Sequence, residues 1–540
     1  MPSSPSAAQR PTVADREVFA NVDPNSDDRT QIVAPVTNIN DEVPPNERQP
    51  GKAEASEATA SPTSPPYSSF SLRQKYLIIA LASISATFSG FASNIYFPAI
   101  PTIARSLGTT ESNINLTVTS YMVFQAISPT FWGAISDVYG RRLTLLCTFV
   151  VFLSACIGLA LSSHFYQLII LRCLQSSGSA STIAIGAGMI GDITTREERG
   201  GYMGVFQAGL LAPLSIGPIL GGIFADTLGW RSIFWFLAIY SGVYLVILAL
   251  FLPETLRSIV GNGSIPPYKQ AKAPFEKLVA NRDVRSATSE TGKKKKKLKI
   301  DFVAPIRILF EKEVLFVLLF LSIHYAAWQM TLTIQSSLFS KIYGLGEIDL
   351  GLTFIANGVG CMVGTLTTGK YILDKDYKKY KRKYANSNGE QSQEEDFPIE
   401  KIRMRTLWIW APLQWISVII FGWTIDKHQH ISIPIIFSFF LAWSAMSIQS
   451  IITTFLVDIF PKQSASATAA LNLARCLVGA LATGVINPSI DRIGIGWSFT
   501  LWTGLMMASI ALVGVQFKYG AGWRKKREQR EKSKIGGNDA

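Results

Sequence analysis

The sequence predicts an all-α membrane protein of twelve transmembrane helices, built as two pseudo-symmetric six-helix bundles. Three observations carry this. Apolar stretches close to the bilayer-spanning length recur twelve times along the chain, lysines and arginines collect in alternate connections between them, and matching stretches in the two halves end in similar residues. Composition agrees: of 540 residues 48% are hydrophobic and only 16% charged, against about 25% charged in a soluble domain. The net charge of +13 does not argue for nucleic acid, because the bases lie between apolar stretches rather than on one module. Anionic lipid and membrane topology explain them better.

Residues 1–71 are rich in Ser, Pro, Ala, Asn and Asp, lack the basic and apolar regions of a cleavable leader, and read as a disordered cytosolic tail. Behind Arg73 and Lys75 the first bundle occupies residues 72–253, with apolar segments at 76–99, 113–133, 143–162, 166–190, 201–225 and 232–252. A polar, Gly- and Pro-containing stretch, 254–304, with the run Lys293 to Lys297, reads as a cytosolic linker loop. The second bundle, 305–519, holds segments at 314–338, 350–373, 405–424, 431–455, 464–487 and 497–516, and a basic cytosolic tail follows at 520–540.

Arg141-Arg142, Arg196, Arg199, the Lys293 run, the Lys378–Lys383 cluster and Arg524-Lys525-Lys526-Arg527 all fall in one set of connections. The positive-inside rule makes that set, and both termini, cytosolic, and the expected location is the plasma membrane. The other connections carry little beyond Arg105, Arg231, Lys341, Lys427 and Arg492. The halves echo each other: Asp137 and Asp374 follow the second and eighth segments, and Gly191-Asp192-Ile193 matches Val457-Asp458-Ile459 after the fourth and tenth. Parallel repeats of this kind place a solute site between the halves near the midplane.

The turn Gly133-Ala-Ile-Ser-Asp137-Val-Tyr-Gly140-Arg141-Arg142 has the chemistry of a latch. Gly133 is expected to admit a neighbouring helix, Asp137 to sit against a helix N-terminus, and the arginines to pair with a carboxylate such as Asp192. Segment five carries Gly209 and then Gly217-Pro218-Ile-Leu-Gly221-Gly222, whose proline removes a backbone donor and whose glycines permit a kink and tight helix contact. Segment four contains Arg172-Cys-Leu-Gln175-Ser-Ser-Gly178; Arg172 and Gln175 share a helix face, and an arginine this deep is expected to face a cavity rather than lipid.

These stretches resemble the major facilitator superfamily. The latch turn matches its signature loop G-x-x-x-D-x-x-G-R-R, segment five looks like the antiporter motif of the twelve-span drug:proton antiporter family, and segment four is similar to that family's R-x-x-Q-G, with Ser176 in place of glycine. Asn94-Ile-Tyr96-Phe-Pro98 and the run from Leu456 through Asp458, Pro461 and Asn472 to Arg475-Cys476 look like the fungal quinidine-resistance branch, over residues 72 to 520. The resemblance implies secondary active export of small organic compounds by alternating access, coupled to protons.

Asn472 and Arg475 repeat the polar spacing of segment four in segment eleven, and Gln125, His324, Gln329 and Asn357 are further polar residues within apolar helices. With Asn94, Tyr96, Arg172 and Gln175 they form the expected substrate-binding set. The expected gating set is Gly133, Asp137, Gly140, Arg141, Arg142, Asp192, Gly217, Pro218, Gly221, Gly222 and Asp458. No Asp or Glu lies near the middle of any span, so no proton carrier is located, although His324 titrates in the useful range when unperturbed. Two deep arginines without a deep carboxylate favour an organic anion, such as a citrate-like acid, over a cationic drug. A polyspecific cation exporter and a non-transporting receptor with a transporter fold remain the alternatives.

An ATP-driven pump lacks its G-x-x-x-x-G-K-[ST] loop, and a membrane enzyme lacks a convergent catalytic set. The five cysteines lie in apolar stretches with no metal-ligand spacing, so neither a disulfide framework, a metal nor a cofactor is expected. The expected partners are the solute, protons and the bilayer, with the chain acting as a monomer. Asn115-Leu-Thr117 is a candidate glycosylation sequon at the outer end of segment two.

Overall fold

In a computed structural model the described residues are 68–263, 265–266, 274, 304–368, 399–460 and 464–536. The N-terminal tail, nearly all of the linker with its lysine run, and the Gly369 to Asp374 repeat partner lie outside them.

Among the described residues, twelve helices have 20 residues or more. In the first half these are α1 (Leu72–Asn94), α3 (Glu111–Tyr139), α4 (Arg141–Ala160), α5 (Phe165–Ile193), α6 (Arg196–Thr227) and α7 (Arg231–Phe251). In the second half they are α10 (Lys312–Tyr343), α11 (Glu347–Leu366), α13 (Leu407–Asp426), α14 (Ser432–Ile459), α15 (Ser464–Ile493) and α16 (Ile495–Gly536). Short helices α2 (Ile100–Ser106), α8 (Arg257–Val260), α9 (Ala304–Leu309) and α12 (Ile399–Met404) fill connections.

Among the described residues, eleven helices are long and apolar enough, by length and composition, to cross a membrane. The twelfth long helix, α3, is diluted by Asn113, Asn115, Thr117, Ser120, Gln125 and Ser128, because much of its surface faces protein. Local signals set the ends. Ser71 caps α1 in a reciprocal box with Gln74, Thr110 caps α3, and Gly344 closes α10 in the left-handed region at φ +66°. Pro98 and Pro101 stop α1 from continuing unbroken and start a 3₁₀ turn and α2.

One boundary differs from expectation. The tail from residue 520 continues α16 as helix through Gly536, since Arg524 pairs with Glu400 at 2.8 Å and Arg527 with Glu313 at 2.9 Å, which docks the basic stretch onto the second half.

The repeat is explicit in the packing. In the first half α1 packs on α5 and α6, α3 on α5, and α4 on α5 and α7; in the second, α10 packs on α14 and α15, α11 on α14, and α13 on α14 and α16. The halves meet along two equivalent seams, α3 with α15 and α6 with α11. The α6–α11 seam is close enough to need glycine. A Cβ on Gly351 would lie 2.5 Å from the Pro218 carbonyl, and one on Gly222 would collide with the Glu347 backbone.

Candidate functional site

A cavity of about 100 Å³ lies between the halves and is lined by both of them. Of the ten expected substrate-binding residues, Asn94, Gln125, Arg172, Gln329 and Arg475 line it. Tyr96, Gln175 and Asn472 stand directly behind these.

Arg172 is 1% exposed. Its NH1 donates to the Ala92 carbonyl at 2.8 Å and to Gln175 at 2.7 Å, and the guanidinium lies between the rings of Tyr96 and Tyr121, 4.4 Å from each centroid. Its Nε and NH2 have no hydrogen-bond partner among the described residues. The Tyr96 hydroxyl is shared with Thr117 and that of Tyr121 with Ser179. Arg475 donates to Asn472 at 2.8 Å and to Gln449 at 3.5 Å, and lies 4.7 Å above the Tyr325 ring. Asn472 in turn donates across the seam to the Gln125 carbonyl at 2.9 Å. The described residues that line the cavity include both arginines and no carboxylate.

Two expected residues stand elsewhere. His324 is buried within the second half, where Trp415 donates to its Nε2 at 3.2 Å and its Nδ1 meets the Phe320 carbonyl at 3.0 Å. Both ring nitrogens are thus engaged by a neutral imidazole, and a proton added at Nε2 would face the indole N–H. Asn357 lies one step behind the cavity wall and accepts from Trp328 at 3.3 Å.

At the latch, Arg141 joins Asp137 at 2.6 Å and Asp192 at 3.0 Å. Gly188 leaves room for its guanidinium, since a Cβ there would fall 2.8 Å from it. The helix N-terminus beside Asp137, that of α4, is capped not by Asp137 but by Glu254, which accepts from the backbone amides of Arg141 at 2.9 Å and Arg142 at 3.2 Å. Gly140, at φ +108°, is required both for that turn and for the space Glu254 fills. Arg142 donates to the Ala249 carbonyl. The second half repeats the design, with Asp458 and Arg403 2.8 Å apart.

On α6, Gly221 lies against the Ile95 carbonyl and Gly222 against α11, whereas Gly217 makes only ordinary contact at 3.4 Å and the Pro218 carbonyl packs against Gly351. Two expectations are corrected. A Cβ on Gly133 would meet nothing within 4 Å, so that glycine admits no neighbouring helix here. The α3–α15 seam is joined at Thr119 with Thr483 and at Gln125 with Asn472, and Gly133 lies eight residues, about 12 Å, further along α3. Asn115 is 1% exposed within the bundle, so burial leaves a glycan no access to its amide.

Sequence reading missed Tyr121, Tyr325, Gln449, Glu254 and Arg403. A tyrosine or glutamine in an apolar helix carries no sign that an arginine from another helix will meet it. Glu254 looked like the first residue of a linker.

Residues 82–483 match the model of the Major Facilitator Superfamily. The chain is 40% identical over 483 residues to "Citrate exporter 1" of Aspergillus niger, covering 88% of this chain and 91% of that one. It is 34% identical over 479 residues to the "MFS antiporter QDR1" of Candida albicans, covering 86% and 92%. Among solved structures, the human organic anion transporter MFSD10 superposes with a TM-score of 0.52 at 15% identity over 83% of this chain and 100% of that one. A D-xylose-proton symporter superposes at 0.56 and 15%, over 81% and 97%. At such identity the structural likeness concerns the fold alone.

Proposed function

This chain belongs to the major facilitator superfamily, and from that premise we propose that it exports small organic anions, carboxylates above all, by alternating access coupled to proton antiport. The observation that carries the reading is the pair Arg172 and Arg475, one from each half, lining one cavity with no carboxylate among the described lining residues. A buried cation without a counter-charge costs several kcal/mol, and an anionic solute supplies that counter-charge. The unpartnered Nε and NH2 donors of Arg172 suit a carboxylate's acceptor oxygens. Similarity to a citrate exporter supports the same solute class.

The kinship with multidrug antiporters supports a second reading, export of cationic drugs. Aromatic walls bind cations, but the faces of Tyr121 and Tyr325 are already taken by Arg172 and Arg475. The distribution of basic residues supports an orientation with the latch end and both termini in the cytosol, and export from the cell would place the protein in the plasma membrane.

The test is efflux from cells expressing the chain, loaded with labelled citrate or with labelled quinidine. Citrate is expected to leave, faster with an acidic exterior and not after a protonophore. Quinidine efflux without citrate efflux overturns the anion reading.

A further inference from the structure

The two short connections opposite the latch contain a paired arrangement. Helices α3 and α11 hold equivalent places in the halves, and each opens with an acid in its first turn, Glu111 and Glu347. Each acid is met by a base from the other half, supplied by the element preceding the equivalent helix. Arg105 on α2 reaches Glu347 at 3.0 Å, and Lys341 near the end of α10 reaches Glu111 at 3.4 Å. The acids are mostly covered, with side chains 16% and 19% exposed, while the bases are 72% and 64% exposed. Thr102 also donates to Glu347. The pseudo-twofold relation thus exchanges one acid and one base in each direction.

Glu347 ties three elements together. Its carboxylate holds α2 and its own backbone lies against Gly222 of α6. An exposed ion pair on its own contributes little, but Arg105–Glu347 closes on the α6–α11 seam, which is already tight where Gly222 meets the Glu347 backbone.

Below them runs a polar column within the bundle. Gln335 donates to Thr353 at 2.9 Å, and one turn further along α11 Asn357 accepts from Trp328, which lines the cavity. Gln335 Oε1, Asn357 Nδ2 and Ser215 Oγ are buried with no partner among the described residues. Unpaired buried polar atoms cost about 1–3 kcal/mol each, so a seam that stayed shut would be expected to be apolar. Polar side chains here suit a surface that is wetted in another conformation.

We propose that Arg105–Glu347 and Lys341–Glu111 form the gate at the end opposite the latch, closed in this structure, and that Gln335, Thr353 and Asn357 line the solute's route once it opens. The proposal rests on the transporter reading for the route's purpose. Its test needs no solute.

In the full chain, Gln335→Cys is labelled on intact cells with a membrane-impermeant maleimide, against a parent lacking that cysteine. Adding Glu111→Gln together with Glu347→Gln is expected to raise the labelling rate by roughly fivefold, as both pairs are lost. Exchanging the charges, Arg105→Glu with Glu347→Arg, is expected to return the rate close to its original value. Thr102→Val, which keeps every charge, is expected to give a smaller rise and serves where the glutamine variants fail to reach the surface. Labelling unchanged in these variants, or a charge exchange that behaves like the glutamine variants, overturns the gate. Failure of citrate efflux with the labelling pattern intact overturns the anion reading and leaves the gate standing.

Discussion

Arg172 and Arg475 face one cavity from opposite halves of the molecule, and they are held there by different kinds of partner. Arg172 is fixed by a main-chain carbonyl of α1, clamped between two rings and bonded to Gln175, all inside the first half. Arg475 leans on amide side chains, Asn472 and Gln449, over a single ring, and its main anchor Asn472 is itself bonded across the seam to α3. A main-chain carbonyl in a packed helix stays in place as the halves rock, whereas a bond across the seam changes with them. If the proposed transport reading holds, the contrast predicts that Arg172 is a stationary charge that also stabilises its bundle, and that Arg475 is a charge whose position follows the transport cycle.

The largest effect expected from this contrast is at Arg475. Arg475→Ala should reduce citrate efflux per surface molecule by about 100-fold, the loss of two charge-assisted hydrogen bonds to the solute, with the melting temperature of the purified protein nearly unchanged. Arg475→Lys keeps the charge without the fork and should recover part of the flux. Efflux at the original level in Arg475→Ala removes Arg475 from the solute's path.

Arg172→Ala should act differently. Deleting a fully buried side chain from between Tyr96 and Tyr121 leaves an unfilled space and frees Gln175, and about 2–3 kcal/mol of destabilisation is expected. Thermal unfolding in detergent would register it as a lower melting temperature and a smaller folded yield. A variant that melts normally yet transports poorly would reverse the assignment of the two arginines.

The sequence made both arginines visible because each interrupts a long apolar run, and an ionisable residue at that depth is a functional-site hypothesis by default. The same rule made the twelve segments and the two halves legible, since each depends on local hydropathy and on charges a few residues away. What escaped were contacts distant in sequence. Glu254 caps a helix that begins 113 residues earlier, Arg105 and Glu347 are 242 residues apart, and Tyr325 meets an arginine on another helix of its half. Gly133 and Asn115 were misjudged for a related reason: a motif states which residue is present, not whether a neighbour stands opposite in this conformation. The helical tail was missed because composition reports Arg524 and Arg527 as solvated charge, while their carboxylate partners Glu400 and Glu313 come from elsewhere in the second half.

The smallest effects should come from the two amides that attend the arginines, and they test the contrast most finely. Asn472→Ala removes the bond to Arg475 and the one across the seam to the Gln125 carbonyl. A neutral hydrogen bond contributes about 0.5–1.5 kcal/mol net, so the balance between cavity-open and cavity-closed states should shift by roughly three- to tenfold. That shift is readable as a changed labelling rate of a cysteine at Gln329, with stability little altered. Gln175→Leu removes a bond of similar length, 2.7 Å, but one that lies wholly inside the first half. Its expected signature is the opposite, a slightly lower melting temperature and an unchanged labelling rate at the same probe. If both variants move the labelling rate equally, the seam does not distinguish the two arginines, and the different partners around them describe packing rather than the working of the transporter.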